Sequence, residues 1–297
     1  MRRWLATVAI GCVFILAACT SPISTGRDFA WHRHPIATPQ LVRAQPAVGD
    51  CYTVLGSDVL ASEQVPCSEH HRVEVAYIGT FVGSAAALLS PPAANSAAMR
   101  DAYAECAGPT AAYIGGDWHE ALTELELLVP DVDAWRGGDR WFRCDLLGMT
   151  SLDYAQLGGA DMSFRGVLAK PTALSVRCIT WLGRPESGSN FEPVPCASPH
   201  RGEYVGAYTA PPGPWPATVE QRSALAAYGC EALVARFVGF PSWHQFDNPA
   251  IGYYQLGFQE RQWDMGDRSV RCYAAAYTKD GNFVGSVKGI KSRPPKG

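Results

Sequence analysis

The chain has 297 residues, 47% hydrophobic and 18% charged, a composition that supports a globular core and leaves room for two domains of ordinary size. Its formal charge of −3 comes without a block of like charges, which argues against a nucleic-acid partner and against a solvated acidic arm. Ten cysteines are many for a cytosolic protein, where thiols stay reduced, so the composition points to an oxidising compartment.

The N-terminus supplies the route to that compartment. Residues 1–18 read as a signal segment: Met1-Arg2-Arg3 is positively charged, and Leu5 to Ala18 is an uncharged apolar run too short for an ordinary spanning helix. The run ends in Leu16-Ala17-Ala18-Cys19, which resembles a bacterial lipobox. In that chemistry the Cys19 sulfur takes a diacylglycerol, and cleavage just before it requires small residues such as Ala17 and Ala18. A conventional signal peptide with a chance cysteine and a retained anchor helix are the competing readings. The cysteine stands at the one position where lipidation needs it, which favours the lipid. Two acyl chains anchor stably where one is marginal. Loss of Arg2 and Arg3 leaves 23 basic against 28 acidic residues, so attraction to anionic lipid is not the anchor. The expected location is the extracytoplasmic face of the cell membrane, reached through the lipid. Residues 19–47, with Pro22, Pro35, Pro39 and Pro46, read as an extended tether. Its Trp31-His32-Arg33-His34 could hold a metal weakly and is read as polar filler.

Beyond the tether one module occurs twice, at 48–169 and 174–292, followed by a tail at 293–297. Cys51, Cys67, Cys106 and Cys144 are matched by Cys178, Cys196, Cys230 and Cys272. Val65-Pro66-Cys67 with His71 and Glu74 returns as Val194-Pro195-Cys196 with His200 and Glu203 at the same offsets. The third cysteine is followed by Tyr113 and Gly115, then by Phe237 and Gly239. Trp118-His119 matches Trp243-His244, and WRGGDRWFRC matches WDMGDRSVRC with Trp135/Trp263, Asp139/Asp267, Arg140/Arg268 and Arg143/Arg271 in register. Ser163-Phe164-Arg165-Gly166-Val167 then corresponds to Ser286-Val287-Lys288-Gly289-Ile290. The lengths fit two independent domains or two halves of one core.

The expected fold class is α+β: two tandem copies of a small disulfide-bonded module, each an antiparallel sheet with one helix. Residues 74–81 and 201–209 are β-rich, and 141–147 and 270–277 read as closing strands. Ala-rich stretches at 96–106 and 218–230 read as helices, the second opened by a Thr218/Gln221 capping box. Four cysteines per module permit three pairings. A hairpin would place Cys51 opposite Cys67 and Cys178 opposite Cys196, and the helix-borne Cys106 and Cys230 would then reach Cys144 and Cys272 on the closing strands. Zinc is the rival reading, with His71 and His200 as further ligands. Zinc sites usually hold two cysteines within a few residues, whereas no two of these eight are closer than 16. No metal and no cofactor are expected.

His71-Glu74 and His200-Glu203 could act as acid–base pairs, but an i, i+3 pair in a strand points to opposite faces, so a bracing role is favoured. Trp118, Trp243, Trp135 and Trp263 could stack on sugars and are read as core covers, while Arg140 and Arg268 are read as ion-paired braces with Asp139 and Asp267. His119 and His244 are weak binding candidates beside their tryptophans. There is no G-x-S-x-G elbow, no H-E-x-x-H and no phosphate loop, and every polar candidate occurs in both copies, as expected of a scaffold and not of an enzyme. A cell-wall hydrolase or transferase and an extracytoplasmic carrier of a small ligand or metal are the alternatives.

Pro66-Cys67 with His71, Glu74 and Val75, a later lone cysteine, then W-x2-G-D-R-x2-R-C, resembles the septum formation family of actinobacterial envelope proteins over most of residues 48–292. The resemblance implies a membrane-attached extracytoplasmic protein linked to cell division, with a protein partner in the envelope and no catalytic residues to carry over. The second copy departs from the pattern: Gly49-Asp50-Cys51 becomes Val176-Arg177-Cys178, and Val75 becomes Tyr204.

Overall fold

Runs of β-branched and aromatic residues bounded by Gly, Pro and Ser become short strands, and the Ala-rich stretches between them become helices that cover one face of each sheet. The computed structural model describes residues 45–56, 63–151, 156–170, 172–181, 191–277 and 281–296. The signal segment, Cys19, residues 31–34, Pro171 and most of the tether lie outside the described residues.

The strands of the first module are Cys51–Tyr52 (β1), Gln64–Val65 (β2), Val73–Thr80 (β3), Thr123–Leu128 (β4), Trp141–Ser151 (β5) and Gln156–Leu157 (β6). Its helices are Gly83–Ala86 (α1), Ala97–Ile114 (α2) and Val132–Arg136 (α3). The second module contains Cys178–Trp181 (β7), Phe191–Pro193 (β8), Gly202–Thr209 (β9), Ile251–Leu256 (β10) and Ser269–Ala276 (β11), with helices Val219–Val238 (α4) and Glu260–Met265 (α5). Both sheets are antiparallel. Their orders are β2-β1-β3-β5-β4, with β6 beside β5, and β8-β7-β9-β11-β10. The duplication therefore extends to topology. It extends even to an irregularity, since Ala76 of β3 and Val205 of β9 are the residues skipped in pairing with β5 and β11.

The two long helices outrun their sequence-based limits. Ser96 caps α2 by accepting from the Met99 N–H at 3.3 Å, and the Thr218/Gln221 box caps α4. Both continue past their cysteines because apolar side chains go on facing the sheet: Tyr113 and Ile114 in α2, Val234 and Val238 in α4. Pro109 lies inside α2, where its missing N–H removes one hydrogen bond without ending the helix. The helices stop at Gly115 (φ +87°) and Gly239 (φ +106°), left-handed positions that glycine occupies without penalty. Strands β4 and β10 were not expected from the sequence, nor were the short helices α1, α3 and α5.

Helix α2 packs over Ala76, Leu125, Leu127, Phe142, Cys144 and Leu146, and α4 packs over the matching side of the second sheet. The far face of the second sheet buries Ile179, Trp181, Tyr204 and Tyr273 together with Val176, and Leu122 of the first module packs against this cluster. The described residues, from 45 onward, belong to one compact unit. Among the described residues no helix is long and apolar enough to cross a membrane.

Candidate functional site

The four disulfides are Cys51–Cys67, Cys106–Cys144, Cys178–Cys196 and Cys230–Cys272, with Cα–Cα separations of 5.2–5.8 Å. Each module holds two, one closing its first hairpin and one tying the long helix to the closing strand. The sulfurs of Cys51 and Cys67 lie close to a Glu74 carboxylate oxygen, all within 4.8 Å. Bonded to each other, those sulfurs are not the thiolates a zinc site uses.

His71 and Glu74 do meet, contrary to the strand argument. His71 precedes β3, in an isolated bridge with Ala160, so the two-residue alternation does not apply to it. Its Nε2 is 3.3 Å from Glu74 Oε2 and its Nδ1 is 2.8 Å from the Glu69 carbonyl. Glu74 also accepts from Ser163 Oγ at 2.6 Å, from the Phe164 N–H at 2.6 Å and from the Tyr113 hydroxyl. Burial pushes the Glu74 carboxyl up, but the bonds from His71, Ser163, Tyr113 and Phe164 outweigh it and hold the group below its ordinary value. Burial likewise depresses His71, yet Glu74 and the Glu69 carbonyl raise it overall. The pair is an ionised brace with both side chains fully enclosed.

The second copy is not equivalent. His200 bonds the Ser198 carbonyl at 2.9 Å, and Glu203 accepts from the Val287 N–H at 2.7 Å. His200 Nε2 is buried without a partner among the described residues. Phe237 stands where Tyr113 does, so the hydroxyl bond of the first copy is lost.

The tryptophans also divide. Trp135 and Trp263 are buried, each donating its indole N–H to a carbonyl, of Leu88 at 2.7 Å and Gly213 at 3.0 Å. Arg140 lies 4.2 Å over the Trp135 ring and donates to the carbonyls of Ala86, Trp135 and Asp139. It is thus a carbonyl clamp, and the expected ion pair with the Asp139 carboxylate is not how it is held. Arg268 lies 5.7 Å over Trp263. Asp267 instead accepts from Tyr103 Oη of the first module at 2.9 Å and sits 3.7 Å from His119 Nε2.

His119 is the centre of the contact between modules. Trp118 stacks on it at 4.7 Å, Asp117 is 2.6 Å from its Nδ1, and burial would lower it were it not for Asp117 and Asp267, which raise it. Arg271 donates to the carbonyls of His119 at 2.8 Å and Thr123 at 2.6 Å. Tyr204 Oη donates to Asp117 at 2.8 Å, and Gln259, Gln262 and Arg261 reach Glu124 and Glu126 on β4. Burial pushes Glu126 up to about 7, against the pull of Arg261.

Trp243 and His244 occupy the matching turn of the second module, where Trp243 is half-buried within its own module. His244 is exposed, and Trp243 stacks on Phe246 at 4.5 Å with Tyr253 edge-on at 5.8 Å. These rings, with Asp247, Gln255 and Tyr277, line an open cavity of about 870 Å³. Sequence reasoning singled out only Trp243 of this group; the alternating Ile251-Gly252-Tyr253-Tyr254 run was the available signal.

The comparisons with known proteins agree with this framework. A family model described as septum formation matches residues 48–272, from before the first hairpin cysteine to the last cysteine of the second module. No curated protein and no solved structure matches the chain. Since that match spans most of the sequence, the chain belongs to the septum formation family.

Proposed function

We propose that the chain is an exported lipoprotein, anchored through acylated Cys19 on the extracytoplasmic face of the cell membrane, that serves septum formation as a non-catalytic binding or scaffold module. Family membership supports the link to the septum. The enclosure of His71 and Glu74 is the observation that carries the non-catalytic reading. Both side chains are 0% exposed, and Glu74 accepts from four separate groups, so neither is free to exchange protons with a substrate. The lipid supplies the membrane attachment, and residues 19–47 give the folded part its reach. In cells fed a labelled fatty acid, the wild-type chain takes up label and Cys19→Ala remains as unlabelled precursor; equal labelling of the two would refute the anchor. An exported fluorescent fusion concentrates at division sites, whereas a uniform envelope signal would count against the septum role.

A further inference from the structure

The loop before each long helix is held by the same brace. Trp135 of α3 donates its indole N–H to the Leu88 carbonyl at 2.7 Å, and Trp263 of α5 donates to the Gly213 carbonyl at 3.0 Å, so Leu88-Leu89 and Gly213-Pro214 are counterparts. Any residue supplies a carbonyl, and the brace has no use for a leucine side chain. The first module nevertheless presents Leu89 at 93% exposure and Val82 at 76%, with Leu88 and Val132 also exposed. In the second module the loop reads Ala210-Pro211-Pro212-Gly213-Pro214, and Trp215 after it lies edge-on to Trp263 at 5.6 Å, under the Arg222 guanidinium. No leucine or valine projects from it.

The exposed side chains of the first module lie together. The Phe81 N–H donates to the Arg140 carbonyl at 2.8 Å, and Arg140 Nε donates to the Ala86 carbonyl at 2.6 Å, which holds residues 81–89 against 132–140. The Phe81 ring stands edge-on to Trp135 at 5.7 Å beneath them. From Phe81 to Met99 the sequence carries no charged residue. Single exposed apolar side chains are ordinary, but a group of them on an uncharged loop marks a contact surface. The chain also enters the fold at this place. Gln45, the first described residue, donates from its side chain to Asp139 Oδ1 at 3.2 Å, in the turn that carries Arg140.

We infer that Val82, Leu88, Leu89 and Val132 form a second membrane contact, in which the loop of residues 82–89 enters the lipid–water interface of the bilayer that holds Cys19. The inference rests on the reading of the chain as a protein anchored at its N-terminus. A flexible tether over residues 19–44 reaches about 30 Å, and it delivers the fold to the bilayer beside this loop. Contact is then intramolecular, and a few aliphatic side chains suffice where they could not recruit the protein from solution. The neighbouring Asp131, Asp133 and Asp139 outnumber Arg136, so headgroup charge is not the attraction and an uncharged lipid surface serves. The second module, farther along the chain from the tether, lacks these side chains, as expected if the lipid and not the fold requires them.

The test reads tryptophan emission from the full chain, purified from membranes and placed in vesicles of phosphatidylcholine, either plain or brominated on the acyl chain near the headgroup. Leu89→Trp and Val82→Trp each replace an exposed side chain, and Pro214→Trp puts the reporter at the counterpart position of the second module. The emission that Leu89→Trp or Val82→Trp adds over wild type falls by about half or more in brominated vesicles, as for a segment at interfacial depth, and the Pro214→Trp increment is unchanged. The inference is overturned if neither of the first two increments is quenched, or if both are quenched no more than that of Pro214→Trp. A blue shift without quenching that grows with the number of chains per vesicle assigns the loop to a second copy. One present at every density assigns it to residues 19–44, and either result rejects the lipid contact. Acylation is scored separately, from the mass of the chain, and the Cys19→Ala precursor, still anchored by its apolar residues 5–18, shows the same quenching. An unacylated wild type therefore rejects the lipid anchor alone, and unquenched emission from an acylated chain rejects this inference alone.

Discussion

Glu74 accepts from His71, Tyr113, Ser163 and Phe164, which joins the start of β3 to α2 and to the segment after β6. Its counterpart Glu203 holds only the Val287 N–H among the described hydrogen bonds. The same glutamate in the same motif therefore carries unequal weight. Glu74→Ala leaves a buried imidazolium, a hydroxyl and an amide without their acceptor and costs about 3–5 kcal/mol. Glu203→Ala strands one amide and costs about 1–3 kcal/mol. Denaturant unfolding of the exported, oxidised protein measures both, and equal losses would contradict the asymmetry. The motif H-x2-E is legible in both copies, but which of them closes into an ion pair is not, because the closing hydroxyl comes from Tyr113, 39 residues downstream.

At the scale of elements, each long helix is held to its sheet by one disulfide and by its buried stripe. The Cys106–Cys144 bond closes a 38-residue separation and Cys51–Cys67 a 16-residue one. Chain entropy assigns them about 4 and about 3 kcal/mol respectively. The double variant Cys106→Ala/Cys144→Ala therefore loses more stability than Cys51→Ala/Cys67→Ala, a ranking that chemical denaturation midpoints check and that equal or reversed losses would overturn. Strand content was partly hidden in the sequence. Thr123-Glu-Leu-Glu-Leu-Leu alternates as a strand should, yet Glu and Leu are strong helix formers, so local preference and pattern disagree. The conflict is resolved by the other module: Gln259, Gln262 and Arg261 satisfy the glutamates on one face while Leu125 and Leu127 enter the core under α2.

For the whole molecule, Arg143 and Arg271 state the asymmetry most plainly. Arg143 is enclosed with Asp145 at 2.7 Å and donates to the Gly56 carbonyl at 3.0 Å, within its own module. Arg271 crosses to the first module, since Tyr273 stands where Asp145 does and gives it no carboxylate. The contact joins the two copies head to tail, so it uses the Trp-His edge of one and the sheet face of the other. Buried titrating groups, at this contact and inside the first module, set a pH response. Burial raises Glu126 from its ordinary 4.5 to about 7 and Asp145 from 3.8 to about 6, so the folded state holds these protons more tightly than the unfolded chain does. Raised His71 and His119 act with the same sign, stabilising when protonated and losing that contribution as pH climbs through their folded values. Stability therefore falls as pH rises from about 5 to about 8. Glu126→Gln removes one source and lessens the total fall across this range by at most ~3–4 kcal/mol, since a shift of one pKa unit is worth ~1.4 kcal/mol. Thermal unfolding at a series of pH values tests this, and a wild-type profile that rises toward pH 8 would contradict it.

Spacing and repetition alone determined that one cysteine framework is used twice, which residues belong to it, and which family the pattern resembles. Those properties are local, or are found by laying one copy over the other. Which arginine braces its own module, which glutamate closes on its histidine, and which Trp-His turn is covered were decided only by tertiary packing. Near-identical motifs cannot encode that difference, because it arises when the Trp118-His119 turn of one copy settles on the other's sheet while His244 of the second copy stays exposed.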